Sequence, residues 1–193
     1  MNAVSPREAG APASQILSDD QNPNAVAGSD PAVLADIYEA ETNIAMWQRS
    51  FSESFQRLVD EFVSSRQQPY LSMICAPKDA GSQLRKALGS AHFSPLADDA
   101  TELIGMFCCL FELDQVGLRM TVLRDTMCPK FHVDHVPCRM VTTYTGVGTQ
   151  WLPNAVVKRD KLGIGSAGKS DQDSGLYGNE ADIRQMASAD VAL

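Results

Sequence analysis

The stretch Ala100-Thr101-Glu102-Leu103-Ile104-Gly105-Met106-Phe107-Cys108-Cys109-Leu110-Phe111-Glu112-Leu113 decides how the fold is read. Leu103, Ile104, Phe107, Leu110 and Phe111 recur at helical spacing and cover most of a helix surface, which predicts a helix central to the core. The period then changes. Leu118, Met120 and Val122 alternate with Arg119, Thr121 and Leu123, the two-residue repeat of a strand. Residues 139 to 144 are rich in β-branched side chains and end at Thr145-Gly146-Val147-Gly148, a turn signature.

Upstream, Pro95-Leu96-Ala97-Asp98-Asp99 leads into this helix, and a shorter one is expected over residues 80 to 88, stopping at Gly89. Residues 70 to 74 read as a strand. Phe51, Phe55, Leu58, Val59 and Phe62 again show helical spacing, and Ile44-Ala45-Met46-Trp47 reads as a short buried strand. Ser29 or Asp30 is placed to cap a short helix with Pro31 at its first position, where a missing N–H costs no hydrogen bond. Residues 1 to 28 have only Ile16-Leu17 as adjacent large aliphatic side chains and are expected to form a disordered leader before a domain at 29–193. Residues 158 to 181, polar and rich in glycine, are expected to be a mobile loop, and residues 183 to 186 to begin a short helix. The last residues, Val191-Ala192-Leu193, are apolar and strand-like, as if the domain lacked its final strands.

At 193 residues the chain suits one domain. Its hydrophobic content of 44% and charged content of 21% exclude collagen-like, wholly disordered and coiled-coil classes. A net charge of −8 argues against nonspecific binding to nucleic acid or anionic lipid. The longest apolar run, residues 103 to 111, is too short to cross a bilayer, and the first residues show neither a basic nor an apolar signal region. A cytoplasmic setting is therefore expected, with the five cysteines reduced. Cys108 and Cys109, in the apolar helix, are read as packing residues.

The chemistry is expected in Cys128-Pro129-Lys130-Phe131-His132-Val133-Asp134-His135-Val136-Pro137-Cys138-Arg139. On an extended backbone His132 and Asp134 project to one face, so an imidazole nitrogen and a carboxylate oxygen can meet one cation. His-x-Asp supplies two corners of the facial triad that holds nonheme Fe(II); a third ligand must come from elsewhere. The bland alternative is a strand-end histidine hydrogen-bonded to a loop aspartate. Arg119, Arg124, Lys130 and Arg139 against Asp125 and Asp134 make the surroundings locally basic, suited to an anionic cosubstrate or to a solvated face. A rival uses Cys128, His132, His135 and Cys138 as a Zn(II) site, although strand alternation would turn His132 and His135 to opposite faces. A cysteine nucleophile, Cys128 or Cys138 with His132 or His135 as base, is a further alternative. No hydrolase elbow is present, Gly163-Ile164-Gly165-Ser166-Ala167-Gly168 reads as a loop rather than a phosphate cradle, and His92 as a loop or capping residue.

The words Ala45-Met46-Trp47-Gln48-Arg49, Pro95-Leu96-Ala97-Asp98-Asp99, Cys128 through Asp134, and Arg139 through Thr143-Tyr144-Thr145-Gly146-Val147-Gly148-Thr149-Gln150-Trp151-Leu152-Pro153 resemble, in this order, the bacterial DUF1826 family. The resemblance covers about residues 31 to 193. It implies a setting in bacterial metal homeostasis, often beside metallochaperone GTPases, with a small-molecule or protein substrate that is not specified. The pattern is also similar to a double-stranded β-helix iron/2-oxoglutarate oxygenase, whose later His-Arg-Ser-Pro word has no counterpart before residue 193. The expected fold is α+β, amino-terminal helices on a mostly antiparallel jelly-roll-like sheet. The expected function is divalent-metal binding, in its sharpest form an Fe(II)/2-oxoglutarate dioxygenase with His132 and Asp134 on the metal, Arg139 pairing with the cosubstrate, and Arg139 and Tyr144 as candidate catalytic side chains. The alternative is a nonenzymatic zinc- or partner-binding protein using Cys128, His132, His135 and Cys138.

Overall fold

The computed structural model describes residues 24–65, 70–123 and 128–193. Residues 1–23 of the expected leader, and Arg124 and Asp125 of the basic segment, lie outside the described residues. In chain order the elements are β1 (Ala25–Gly28), a 3-10 helix (Pro31–Tyr38), β2 (Ile44–Trp47), α1 (Glu53–Ser65), β3 (Tyr70–Cys75), α2 (Pro77–Leu88), α3 (Ser94–Leu110), β4 (Val116–Thr121), β5 (Val141–Thr142), β6 (Gln150–Trp151), α4 (Asp171–Ser174), β7 (Arg184–Gln185) and β8 (Val191–Ala192). Three shorter 3-10 turns sit between residues 159 and 182.

The helix ends follow local chemistry. Asp30 accepts a hydrogen bond from the Ala32 N–H just before Pro31, satisfying a donor that has no partner inside the helix. Gly89 ends α2 in the left-handed conformation, and its N–H donates to the Arg85 carbonyl.

Helix α3 joins two cores. One face, with Leu96, Ala97, Ala100, Ile104 and Cys108, packs against α1, α2 and the inner faces of β3 and β4. The other, with Leu103, Met106, Phe107 and Leu110, packs against Leu34, Trp47, Val191 and Leu193. A helix apolar on both sides is what the five large residues at helical spacing predict. Strands β3 and β4 pair antiparallel from Tyr70↔Thr121 to Cys75↔Val116; Leu71 and Met73 face the core with Leu118 and Met120, whereas Tyr70 and Ile74 face outward. Cys108 is buried as expected, but Cys109 is exposed, because the helix turns its side chain away from both cores.

The second sheet has the order β1-β2-β8-β5, with β1 parallel to β2 and the other pairs antiparallel. Its far face carries Met46 and Ala192 against Trp151 and Met186, from the β6–β7 region. The protein is thus α+β, with one sheet of four strands and two of two strands, and no closed barrel among the described residues.

Several local expectations change. Ala25–Gly28 is a strand, not leader, because Asn24 and the parallel register Ala25↔Ile44 hold it on β2. Only Val141–Thr142 of residues 139 to 144 is strand. Residues 158 to 181 form short capped turns, anchored by the fully buried Leu176, whose carbonyl accepts from the Lys158 N–H at 2.8 Å. Arg184–Gln185 is a strand paired with β6, not a helix start. No helix among the described residues is long and apolar enough to cross a membrane.

One polar seam crosses the apolar layers. Arg49, just after β2, makes a two-pronged bond to Asp99 on α3, Nη1–Oδ1 at 2.6 Å and Nη2–Oδ2 at 3.1 Å. Its Nε donates to the Ala189 carbonyl at 2.7 Å, and its guanidinium lies 5.0 Å from the ring centres of both Trp47 and Phe51. The Tyr144 hydroxyl donates to Asp99 Oδ2 at 2.7 Å, and its ring stacks on Phe51 at 5.7 Å. Ala189 is held at φ +78°, a left-handed conformation unfavourable for alanine, while its N–H donates to the Thr143 carbonyl. The seam therefore ties β2, α3, the segment after β5 and the turn before β8 together.

This packing sets the cost of four substitutions. Arg49→Met leaves the Asp99 carboxylate without its cation in a nearly buried site and is expected to lower unfolding free energy by about 3–5 kcal/mol. Asp98→Ala, which breaks the half-exposed pair with Arg85, should cost no more than about 1 kcal/mol, both read by urea unfolding. A methyl group on Gly148 would stand 2.1 Å from the Met186 carbonyl oxygen, so Gly148→Ala should destabilise by about 1–3 kcal/mol. Gly105, inside α3 with nothing within 4 Å of that position, should instead gain about 0.4–1 kcal/mol as alanine.

Candidate functional site

Residues 128 to 140 run between β4 and β5 without helix or strand. Pro129 and Pro137 each remove a backbone donor, so a strand ladder cannot run through this segment. The extended strand expected to align His132 with Asp134 is therefore absent. The two side chains, one residue apart, meet nonetheless, with His132 Nε2 3.6 Å from Asp134 Oδ1.

The ring's other nitrogen is 3.1 Å from the Lys130 carbonyl oxygen. A carbonyl only accepts, so Nδ1 carries the proton. In the neutral imidazole Nε2 then presents a lone pair, and it faces a carboxylate oxygen just outside hydrogen-bond range. Two acceptors held face to face repel unless a proton or another cation lies between them. Two bonds of about 2.1 Å to one ion span about 3.0 Å at a right angle and about 3.4 Å at the tetrahedral angle, so the observed gap needs only a small closure. A histidine that ligates a metal commonly donates its second ring N–H to a backbone carbonyl, as here. The donor chemistry thus fits a divalent cation.

Arg139 completes the local charge pattern. Its Nε lies 3.0 Å from Asp134 Oδ2, so each carboxylate oxygen has one facing partner. Arg139 and His132 are half-exposed and Asp134 less so, which leaves the group open to solvent.

The remaining predicted residues are not drawn into this group. Cys128 and His135 are exposed. Cys138 is partly buried against the cluster of Leu34, Leu103 and Val191, and burial raises its thiol above the ordinary range, a poor state for a thiolate ligand or nucleophile. Among the described residues no three His, Cys, Asp or Glu side chains converge on a metal position, so neither the Cys128–His132–His135–Cys138 set nor a third corner for His132 and Asp134 is assembled. Tyr144 is committed to Asp99. Burial first, and the Asp99 carboxylate second, push its phenol well above the ordinary range, against the opposing effect of Arg49. It is a neutral donor. His92 lies on the surface, its Nε2 2.8 Å from Glu61 Oε2 and its N–H donated to the Ser90 hydroxyl.

Sequence reasoning missed the residues that hold the loop in place. Lys130 Nζ donates to the Ser166 hydroxyl at 3.3 Å and to the Lys169 carbonyl, and the Phe131 N–H donates to Asp171 Oδ2 at 2.7 Å. The Phe131 ring meets Tyr177 edge-on at 6.1 Å. No spacing signal links positions about 40 residues apart. The pairing of Arg49 with Asp99 was equally hidden, although both residues sit in words that carry the family resemblance.

No curated protein and no solved structure matches the chain. The family model described as "Protein of unknown function (DUF1826)" matches residues 28–193. That match begins at the last residue of β1 and takes in the Arg49–Asp99–Tyr144 seam and the His132–Asp134–Arg139 loop alike, and on it the chain belongs to the DUF1826 family.

Proposed function

We propose that this protein binds a divalent metal ion on the loop between β4 and β5, through His132 Nε2 and Asp134 Oδ1. The observation that carries the reading is His132 Nε2 facing a carboxylate oxygen of Asp134 at 3.6 Å while Nδ1 is held by the Lys130 carbonyl. Water or a chelating small molecule would fill the other positions. The setting in metal homeostasis implied by the family resemblance is in keeping with this role.

The sharper form of the proposal is an Fe(II)/2-oxoglutarate oxygenase. Bound iron would supply activation of oxygen at positions left open by the protein. His132 and Asp134 would hold the metal, and the outer guanidinium nitrogens of Arg139 would pair with the distal carboxylate of 2-oxoglutarate by charge-assisted bonds. A jelly-roll-like arrangement would correspond here to the four-stranded sheet facing the β6–β7 pair across Met46, Trp151, Met186 and Ala192.

Anaerobic Fe(II) titration of the full chain tests the site. His132→Ala and Asp134→Ala are each expected to weaken binding by at least about tenfold, and equal affinity in all three proteins would end the proposal. For the oxygenase form, calorimetry of 2-oxoglutarate with the Fe(II)-loaded protein is expected to show affinity falling by roughly 10-fold or more in Arg139→Ala, the loss of a charge-assisted bond. Unchanged 2-oxoglutarate binding in that variant removes Arg139 from the cosubstrate role.

A further inference from the structure

The loop that carries His132 and Asp134 has no regular structure of its own, yet His132 Nε2 and Asp134 Oδ1 stand 3.6 Å apart, close to the roughly 3.4 Å that two tetrahedral bonds to one ion would span. Part of that order comes from outside the loop. Consecutive residues immediately before His132 are fastened to a single neighbouring segment. The Lys130 ammonium is planted on the Ser166 hydroxyl and the Lys169 carbonyl, and the Phe131 N–H on the Asp171 carboxylate. That segment is itself well determined: Ser166 is buried and donates to the Gly163 carbonyl at 2.8 Å, and the Leu176 N–H closes on the Asp171 carbonyl at 3.0 Å. Lys130 has two functions at once. Its side chain grips the platform, and its carbonyl accepts from His132 Nδ1.

We propose that Lys130 and Asp171 are positioning residues for the His132–Asp134 pair, fastening the loop to the turns at 163–177 so that the imidazole keeps its Nδ1 proton and presents Nε2 to Asp134. The proposal deepens the metal-site reading above and rests on it. Its physical content is a constraint on ring tautomer and orientation, which outer partners of a metal-binding histidine supply, with losses of about 10- to 100-fold in metal affinity when they are removed.

Lys130→Met is the discriminating variant. Removing a positive charge beside a cation site would, by Coulomb attraction alone, tighten metal binding. Positioning predicts the opposite. In anaerobic Fe(II) titrations of the full chain, Lys130→Met and Asp171→Ala are expected to bind at least about tenfold more weakly than wild type. Lys169→Met, which removes an equal charge but keeps the carbonyl that Lys130 uses, should bind no more weakly, and Asp171→Asn, which retains an oxygen for the Phe131 N–H, should stay near wild type even if Asp171→Ala fails to fold. The second readout needs no metal. Nitrogen-resolved NMR of the His132 ring at about pH 8, above the ordinary imidazole range, should report one Nδ1-protonated tautomer in wild type and a mixture in Lys130→Met.

If wild type binds Fe(II) and Lys130→Met binds it equally well with the ring still Nδ1-protonated, the positioning role is overturned while the metal site stands. If wild type does not bind Fe(II), the metal reading falls, and the tautomer decides the rest: a mixture in Lys130→Met supports the fastening, and an unchanged ring overturns it.

Discussion

The structure depends on one charge pair set among apolar layers, Arg49 with Asp99. Helix α3 is greasy on two sides, and an apolar surface alone does not specify how such a helix is rotated or shifted against a sheet. A guanidinium that must meet a carboxylate in a two-pronged geometry does specify it. Arg49 is held between Trp47 and Phe51, and its remaining nitrogen reaches Ala189, so the pair also fixes where the chain turns into β8. Such a pair contributes little net stability compared with well-packed apolar residues, but its loss leaves a buried charge without compensation. Its value to the fold is registration.

The candidate site obeys the opposite logic. Its side chains lie on an exposed, proline-flanked loop, where irregular backbone keeps donor atoms free instead of spending them in a ladder. The cost of that freedom is conformational entropy, which would scatter the two donors. Fastenings to the 163–177 turns restrict it on one side, and Arg139 on Asp134 restricts it on the other. Tyr144 belongs with the first logic. Its hydroxyl satisfies Asp99 and its ring fills space against Phe51.

Much of the fold was legible because long periodic segments report their own burial. The two-sided helix, the alternating strand at Leu118 and Met120, the stop at Gly89 and the start at Asp30 and Pro31 are local consequences of side-chain chemistry. Structure and sequence pattern part where elements are two to four residues long. Ala25–Gly28 is made of small residues that look like linker, and it is a strand only because β2 lies alongside it. Arg184–Gln185 shows neither period clearly and is a strand only because β6 is opposite. At the site, His132, Asp134 and Arg139 were nameable from one dodecapeptide. Lys130's grip and Asp171 were not, since a contact across 40 residues leaves no mark on spacing.

What the sequence by itself determined is therefore the set of groups available for chemistry and the elements whose pattern repeats: an imidazole and a carboxylate one residue apart, a nearby guanidinium, and a helix apolar on two sides. What only the tertiary structure decided is which of those groups face one another. It turned Cys138 into a core cluster, gave Tyr144 to Asp99, and set Nε2 of His132 opposite Asp134 on a segment that belongs to no strand. The physical reason is that composition and period act through burial, which each residue expresses locally. The meeting of two polar atoms at a given distance is set by every tether between them, and most of those tethers join residues far apart in the chain.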